Sequence, residues 1–154
     1  MNIFILDTDP RRAARLQCDK HVVKMPLETA QILCTVLSKL EIEVPYKPTH
    51  QNHPCTLWAG ESHENFLWLC DHGLELCAEY TRRYGKVHKC QIIIDSCKYF
   101  YVMLPQARRT PFVQCLPDDC KSTDPVQAYR KYYATHKLPI LKYKNGNFPH
   151  FIPQ

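Results

Sequence analysis

No apolar stretch in the 154 residues approaches the ~18 that a bilayer-spanning helix needs, so the sequence offers no membrane segment. It also lacks any run of five basic residues. That argues against a nucleic-acid-binding tail and leaves any basic footprint to be assembled by folding. No Cys-x-x-Cys pair occurs, and no zincin, deaminase or zinc-finger spacing. The opening Met1-Asn2-Ile3-Phe4 does not resemble a secretory leader. With nine cysteines, an odd number, the expectation is reduced thiols in an intracellular, not secreted, protein. Internal repeats and domain boundaries are missing too, so residues 1–154 read as a single domain.

What is present suits a packed domain. Apolar residues make up 45% and charged residues 23%, far from the low-hydrophobicity, high-charge corner of disordered chains. The net charge of +5, with eight histidines besides, leans towards anionic partners. Cys70 and Cys77, like Cys90 and Cys97, stand seven apart, on one face of a helix beside apolar neighbours, where a free cysteine serves as a small core hydrophobe.

The expected fold is mainly α, a compact helical domain with one short N-terminal candidate strand, Asn2 to Leu6. Asp9 and Pro10 give a cap followed by a first-turn proline, starting a helix to about Gln17. Helical character continues from Cys18, with Pro26 marking either a kink or a new start, and helical periodicity persists to about Glu41. Residues 42 to 55 are too proline-rich for a regular element. Ser62 caps a long helix from His63 to Tyr84, and Gly85 supplies its left-handed stop. A further helix is expected over Val87–Met103, although Ile92-Ile93-Ile94 and Tyr99-Phe100-Tyr101-Val102 would also suit buried strands; a long connection follows over Leu104–Thr123, and a last helix from Asp124-Pro125 to about Lys137.

Asp19, Lys20, His21, Lys24 and Glu28 place five ionisable groups within ten residues. On a helix, His21, Lys24 and Glu28 share one face, bringing together an acid–base group, an ammonium and a carboxylate. The plainer alternative is a solvated helix end with Lys24 and Glu28 paired at i,i+4. His50, Asn52 and His53 gather two imidazoles and an amide in one loop, a set for a phosphate, a base edge or a metal. Trp68 falls on the polar face of the long helix, either covered by another segment or offered to a ligand. Arg82, Arg83, Lys86 and His88 surround the glycine turn, as a phosphate site or as cations suited to the helix dipole. Tyr129, Arg130 and Tyr133 belong to an aromatic-basic segment that could stack bases and hold phosphates, or pack half-buried against the domain.

Two resemblances follow from these residues. The run Leu6-Asp7, Asp9-Pro10, Ala13-Ala14 and Cys18-Asp19-Lys20-His21-Val22-Val23-Lys24-Met25, with Glu28 and Ala30-Gln31, looks like the opening of a family of short proteins from bacteriophages and large DNA viruses. Later stretches such as His53-Pro54, Arg83-Tyr84-Gly85-Lys86 and Ala128-Tyr129-Arg130 look similar to it as well. That family implies a viral setting, hence a host cytoplasm or nucleus, and no particular chemistry. More loosely, in size, charge and its aromatic-basic end, the chain is similar to the small helical pyrimidine-dimer DNA glycosylases. Those enzymes use an exposed N-terminal amine on a small residue. Here Asn2 should keep Met1 in place, so Lys20 or Lys24 would have to replace that amine.

The sequence therefore reads first as an enzyme on nucleic acid or a nucleotide, cleaving a glycosidic or phosphodiester bond without a cofactor. His21 is the candidate acid–base, Lys20 or Lys24 the nucleophile or charge stabiliser, and Asp19 or Glu28 the orienting carboxylate. The second reading is a module that binds or sequesters a nucleotide or nucleic acid without turnover. The third is a metalloprotein using His21, His50, His53 or His88.

Overall fold

In a computed structural model, which describes residues 1–144 and 148–153, the described residues contain six α-helices and no strand. They are α1 (Pro10–Arg15), α2 (Asp19–Lys39), α3 (Pro54–Gly60), α4 (His63–Tyr84), α5 (Gln91–Lys98) and α6 (Pro125–His136), with short 3-10 turns at Tyr101–Met103, Asp118–Cys120 and Leu138–Ile140. No described helix is long and apolar enough to cross a membrane.

Local chemistry sets most boundaries. Asp9 accepts from the N–H groups of Arg11 and Arg12, Asp124 from those of Val126 and Gln127, and in both helices proline follows the cap. Pro and the capping carboxylate thus remove or satisfy the donors that a helix start leaves open. Ser62 accepts from Asn65 N–H, and Gly85 ends α4 at φ +68°, a conformation that costs glycine little. α2 continues through Pro26 without a break. Three residues before that proline, the Val23 carbonyl meets His88 Nε2 at 3.0 Å. Because His88 Nδ1 must accept from Cys90 N–H, Nε2 carries the proton and donates.

α4 is the central helix, packed against α1, α2, α3 and α5. Gly73 permits this: a Cβ there would stand 2.7 Å from Thr29 Cγ2 on α2 and 3.0 Å from Ile94 Cδ1 on α5. The core between these helices includes Leu33, Leu37, Phe66, Leu69, Leu76 and Ile94, together with the fully buried Cys70 and Cys77.

Two expected elements differ. Asn2–Leu6 is buried but is not a strand, because side chains rather than a neighbouring strand meet its backbone. Asn2 Oδ1 accepts from Ile3 and Phe4 N–H, Gln17 Nε2 donates to the Ile3 carbonyl, and Arg130 Nε donates to that of Leu6. Phe4 also sits at φ +58°, outside the extended region. The helix expected over Val87–Met103 is confined to Gln91–Lys98, since the His88–Cys90 bond forms a turn ahead of it and the chain tightens into 3-10 geometry after Phe100.

Candidate active site

The first residues of the chain are held by a small network. Asn2 Nδ2 donates to the Cys115 carbonyl at 2.8 Å, and Asn2 N–H donates to Glu28 Oε1 at 3.1 Å. Behind them Phe4 takes a positive φ of 58°. Non-glycine residues occupy that region rarely and at a cost of order 1–3 kcal/mol. Here it is supported by the ring, which stacks on His21 at 4.1 Å and 17° and lies nearly parallel to Tyr132.

This placement brings the Met1 α-amine 3.5 Å from Glu28 Oε1, while Lys24 Nζ stands 3.5 Å from Oε2. Glu28 is only 8% exposed. A cavity of about 400 Å³ opens over the group, lined also by His21, His53, Cys115, Tyr132 and Lys137. Two larger cavities of about 590 Å³ carry less chemistry. One is edged by Val87, Ile92 and Leu74. The other is edged by Arg82 and Glu79, which pair with each other.

His21 Nδ1 lies 2.5 Å from the hydroxyl of the fully buried Tyr133. Burial, with the Lys137 and Lys24 ammonium groups nearby, pushes the imidazole down to about 4. It is therefore neutral near pH 7. Nδ1 is thus engaged with the tyrosine, and Nε2 makes no hydrogen bond among the described residues. His53 caps α3, its Nδ1 accepting from Cys55 N–H at 3.1 Å, and burial holds its imidazole below the ordinary range.

Of the residues singled out in the sequence, His21, Lys24, Glu28 and His53 share this cavity. Asp19 does not: it accepts from Arg83 Nη1 and from Lys144 N–H. Lys20 lies on a separate small cavity with Pro139 and Lys142. Arg83 is buried between Glu79 and Asp19, and Arg82 is also on Glu79. Lys86 is exposed, whereas His88 is buried against α2. His50 and Asn52 are exposed in the loop before α3. Trp68 is covered: its Nε1 donates to the Thr8 carbonyl and its ring meets Trp58 and Phe112. Tyr129 is buried, its hydroxyl on the Val113 carbonyl. Arg130 holds the Leu6 carbonyl and Asp7.

The sequence reading set the N-terminal amine aside in favour of Lys20 or Lys24 because Asn2 should keep Met1 in place; it passed over Phe4 and Cys115 and gave Tyr132 and Lys137 no role of their own in the site. An α-amine has no residue-type signature, and Cys115 resembles any other core cysteine. The signal for the amine was the glycosylase resemblance, and a retained Met1 keeps an α-amine as well.

The model of the pyrimidine dimer DNA glycosylase family matches residues 1–92. The chain belongs to that family. Among curated proteins and among solved structures nothing matches. Membership implies nucleic-acid processing of the glycosylase type, with nucleic acid as partner. The matched segment contains Met1, His21, Lys24, Glu28 and His53, whereas Cys115, Tyr132 and Lys137 complete the cavity from beyond it.

Proposed function

We propose that this glycosylase-family protein releases a damaged pyrimidine from DNA, with the Met1 α-amine as nucleophile and Glu28 as its carboxylate partner. The observation that carries the reading is the 3.5 Å approach of that amine to a nearly buried carboxylate beside a cavity. Two amines meet Glu28, and they differ. α-Amines as a class lose their proton nearer neutrality than lysine ammonium groups do, and only the neutral amine has a lone pair to give. Lys24, whose side chain is 70% exposed, is placed to meet a phosphate instead.

In this reading the amine attacks C1′ of the target nucleotide as the C1′–N1 bond breaks. The electron pair leaves with the pyrimidine, which takes up the proton the amine gives off. Opening of the sugar then leaves an imine between Met1 and C1′. Glu28 accepts from the amine and offers negative charge to the positive sugar of the transition state. Neutral His21, in the tautomer that carries its proton on Nε2, donates to an oxygen of the bound nucleotide. Tyr132 and Phe4 give an aromatic wall, and Lys137 and Lys24 give cations for the phosphates of an extruded nucleotide.

Sodium borohydride tests this, because it reduces an imine to a stable secondary amine. With a duplex carrying one thymine dimer, the expected product is a covalent protein–DNA adduct that maps to the Met1 amine. An adduct on Lys24 would reassign the nucleophile. If neither an adduct nor cleavage of the dimer's glycosidic bond is found, the reading is removed altogether.

A further inference from the structure

The same cavity is edged by donors that base release does not use. His53 and Cys115 line it, and Cys55 is fully buried behind them at the start of α3. One ligand atom from each of the three lies within 4.8 Å of the other two. The two sulfurs are 3.6 Å apart. Two thiolates bound to one tetrahedral zinc at about 2.3 Å stand about 3.8 Å from each other, so the spacing already suits a shared metal.

We propose that His53, Cys55 and Cys115 form a zinc site whose fourth position opens towards the cavity holding the Met1 amine and Glu28. The donor set selects the ion. Two thiolates and an imidazole suit zinc, whereas magnesium and calcium take oxygen ligands. Three protein ligands leave one position for water or for an oxygen of a bound nucleotide. Two of the three ligands line the cavity, which puts the open position on that side.

The ligands are held from outside. Cys115 N–H donates to the Tyr129 hydroxyl at 3.0 Å, and its carbonyl accepts from Asn2. His53 and Cys55 are held by the start of α3. Zinc uptake releases the two thiol protons to solvent, leaving two thiolates to balance the ion. The cost is the cap: His53 Nδ1 now accepts from Cys55 N–H, and coordination through either nitrogen gives up that bond or moves the ring proton. A helix cap contributes roughly a tenth of what a structural zinc ion does, so coordination wins.

Another thiol pair in the protein provides the contrast. Cys34 and Cys97 are 3.9 Å apart between α2 and α5, with no metal-ligating histidine or carboxylate grouped with them among the described residues. They are packing. Asp119, Cys120 and His136 also come together, but Asp119 and His136 are exposed and already paired with each other.

The test uses the reduced, metal-stripped full chain with zinc and cobalt(II) as probes. Native mass spectrometry should find one zinc per chain. Cobalt should give the near-ultraviolet thiolate charge-transfer band and the visible bands of a tetrahedral site. C115S, at a half-buried position, should weaken zinc binding by more than about 100-fold, beyond the range typical of outer-shell changes, and lower the charge-transfer intensity. C97S should change neither. Absence of bound zinc in the wild-type chain overturns the site, as does a C115S protein of unchanged affinity and cobalt spectrum, or loss of zinc on C120S instead. These readouts do not depend on base release, so failure here leaves the glycosylase reading standing.

Discussion

Glu28 on α2 and Glu79 on α4 are both nearly buried, at 8% and 5% exposure, and both face cations, yet their partners differ in kind. Glu79 is held by Arg83 Nε at 2.9 Å and by Arg82 Nε at 3.0 Å. Arg83 continues to Asp19 and to the Arg15 carbonyl, tying α1, α2 and α4 together. Guanidinium groups do not lose their protons in proteins, and their fork matches a carboxylate. Every charge in that cluster is committed, so it is a clamp. Glu28 faces two amines, which can exchange protons, and a cavity. A carboxylate set against amines beside open space is equipped for chemistry, whereas one saturated by arginine is equipped to hold helices together.

The sharpest way to break this contrast is to displace the amine. One extra residue ahead of Met1 shifts it by about 3.8 Å. The borohydride adduct with dimer-containing DNA should then disappear on a denaturing gel, while the melting temperature stays put. E28Q should cut base release by roughly 10²–10⁴-fold with little change in stability. E79Q should do the reverse, costing about 3 kcal/mol by leaving Arg83 buried without its carboxylate and sparing activity at temperatures where the protein remains folded. Denaturant melts and single-turnover assays on the two variants compare them directly; equal effects on activity would erase the distinction.

A smaller effect concerns protons. Burial pushes His72 down to about 3, and His21 is held at about 4, both below the ordinary 6.5. The unfolded chain therefore takes up protons that the folded chain refuses as pH falls from about 6.5 to 4. The stability these neutral rings contribute is complete above 6.5 and lost as pH falls to about 4 for His21, about 3 kcal/mol, and on to about 3 for His72. Melting temperature should fall over this range, with a shallower slope in H21N. Smallest is K24A: loss of one exposed phosphate contact should weaken DNA binding about threefold to tenfold at physiological salt and flatten its salt dependence.

Several parts of the fold could be read directly because their causes are local. The caps Asp9, Ser62 and Asp124, the prolines beside two of them and the Gly85 stop act within four residues, and each α-helix start or end they mark was expected. The expected helix over Val87–Met103 was too long because its limits depend on a turn tied to α2 through His88, a contact 65 residues away in sequence. Asn2–Leu6 reads as a strand because its side chains are apolar, but a strand also needs a partner, and Gln17 and Arg130 took that place. Within the site, His21, Lys24 and Glu28 were legible because spacings of three and seven keep them on one helix face.

By itself, then, the sequence determined that the chain is helical, basic and cysteine-rich without a disulfide framework, and that one face of α2 carries an imidazole, an ammonium and a carboxylate. Only the tertiary structure decided which carboxylate meets an amine and which is locked by arginine. It also decided that Cys115 would lie against Cys55 and Asn2. Helical spacing reaches across a few turns, whereas these choices turn on contacts spanning 26, 60 and 113 residues, which no local pattern records.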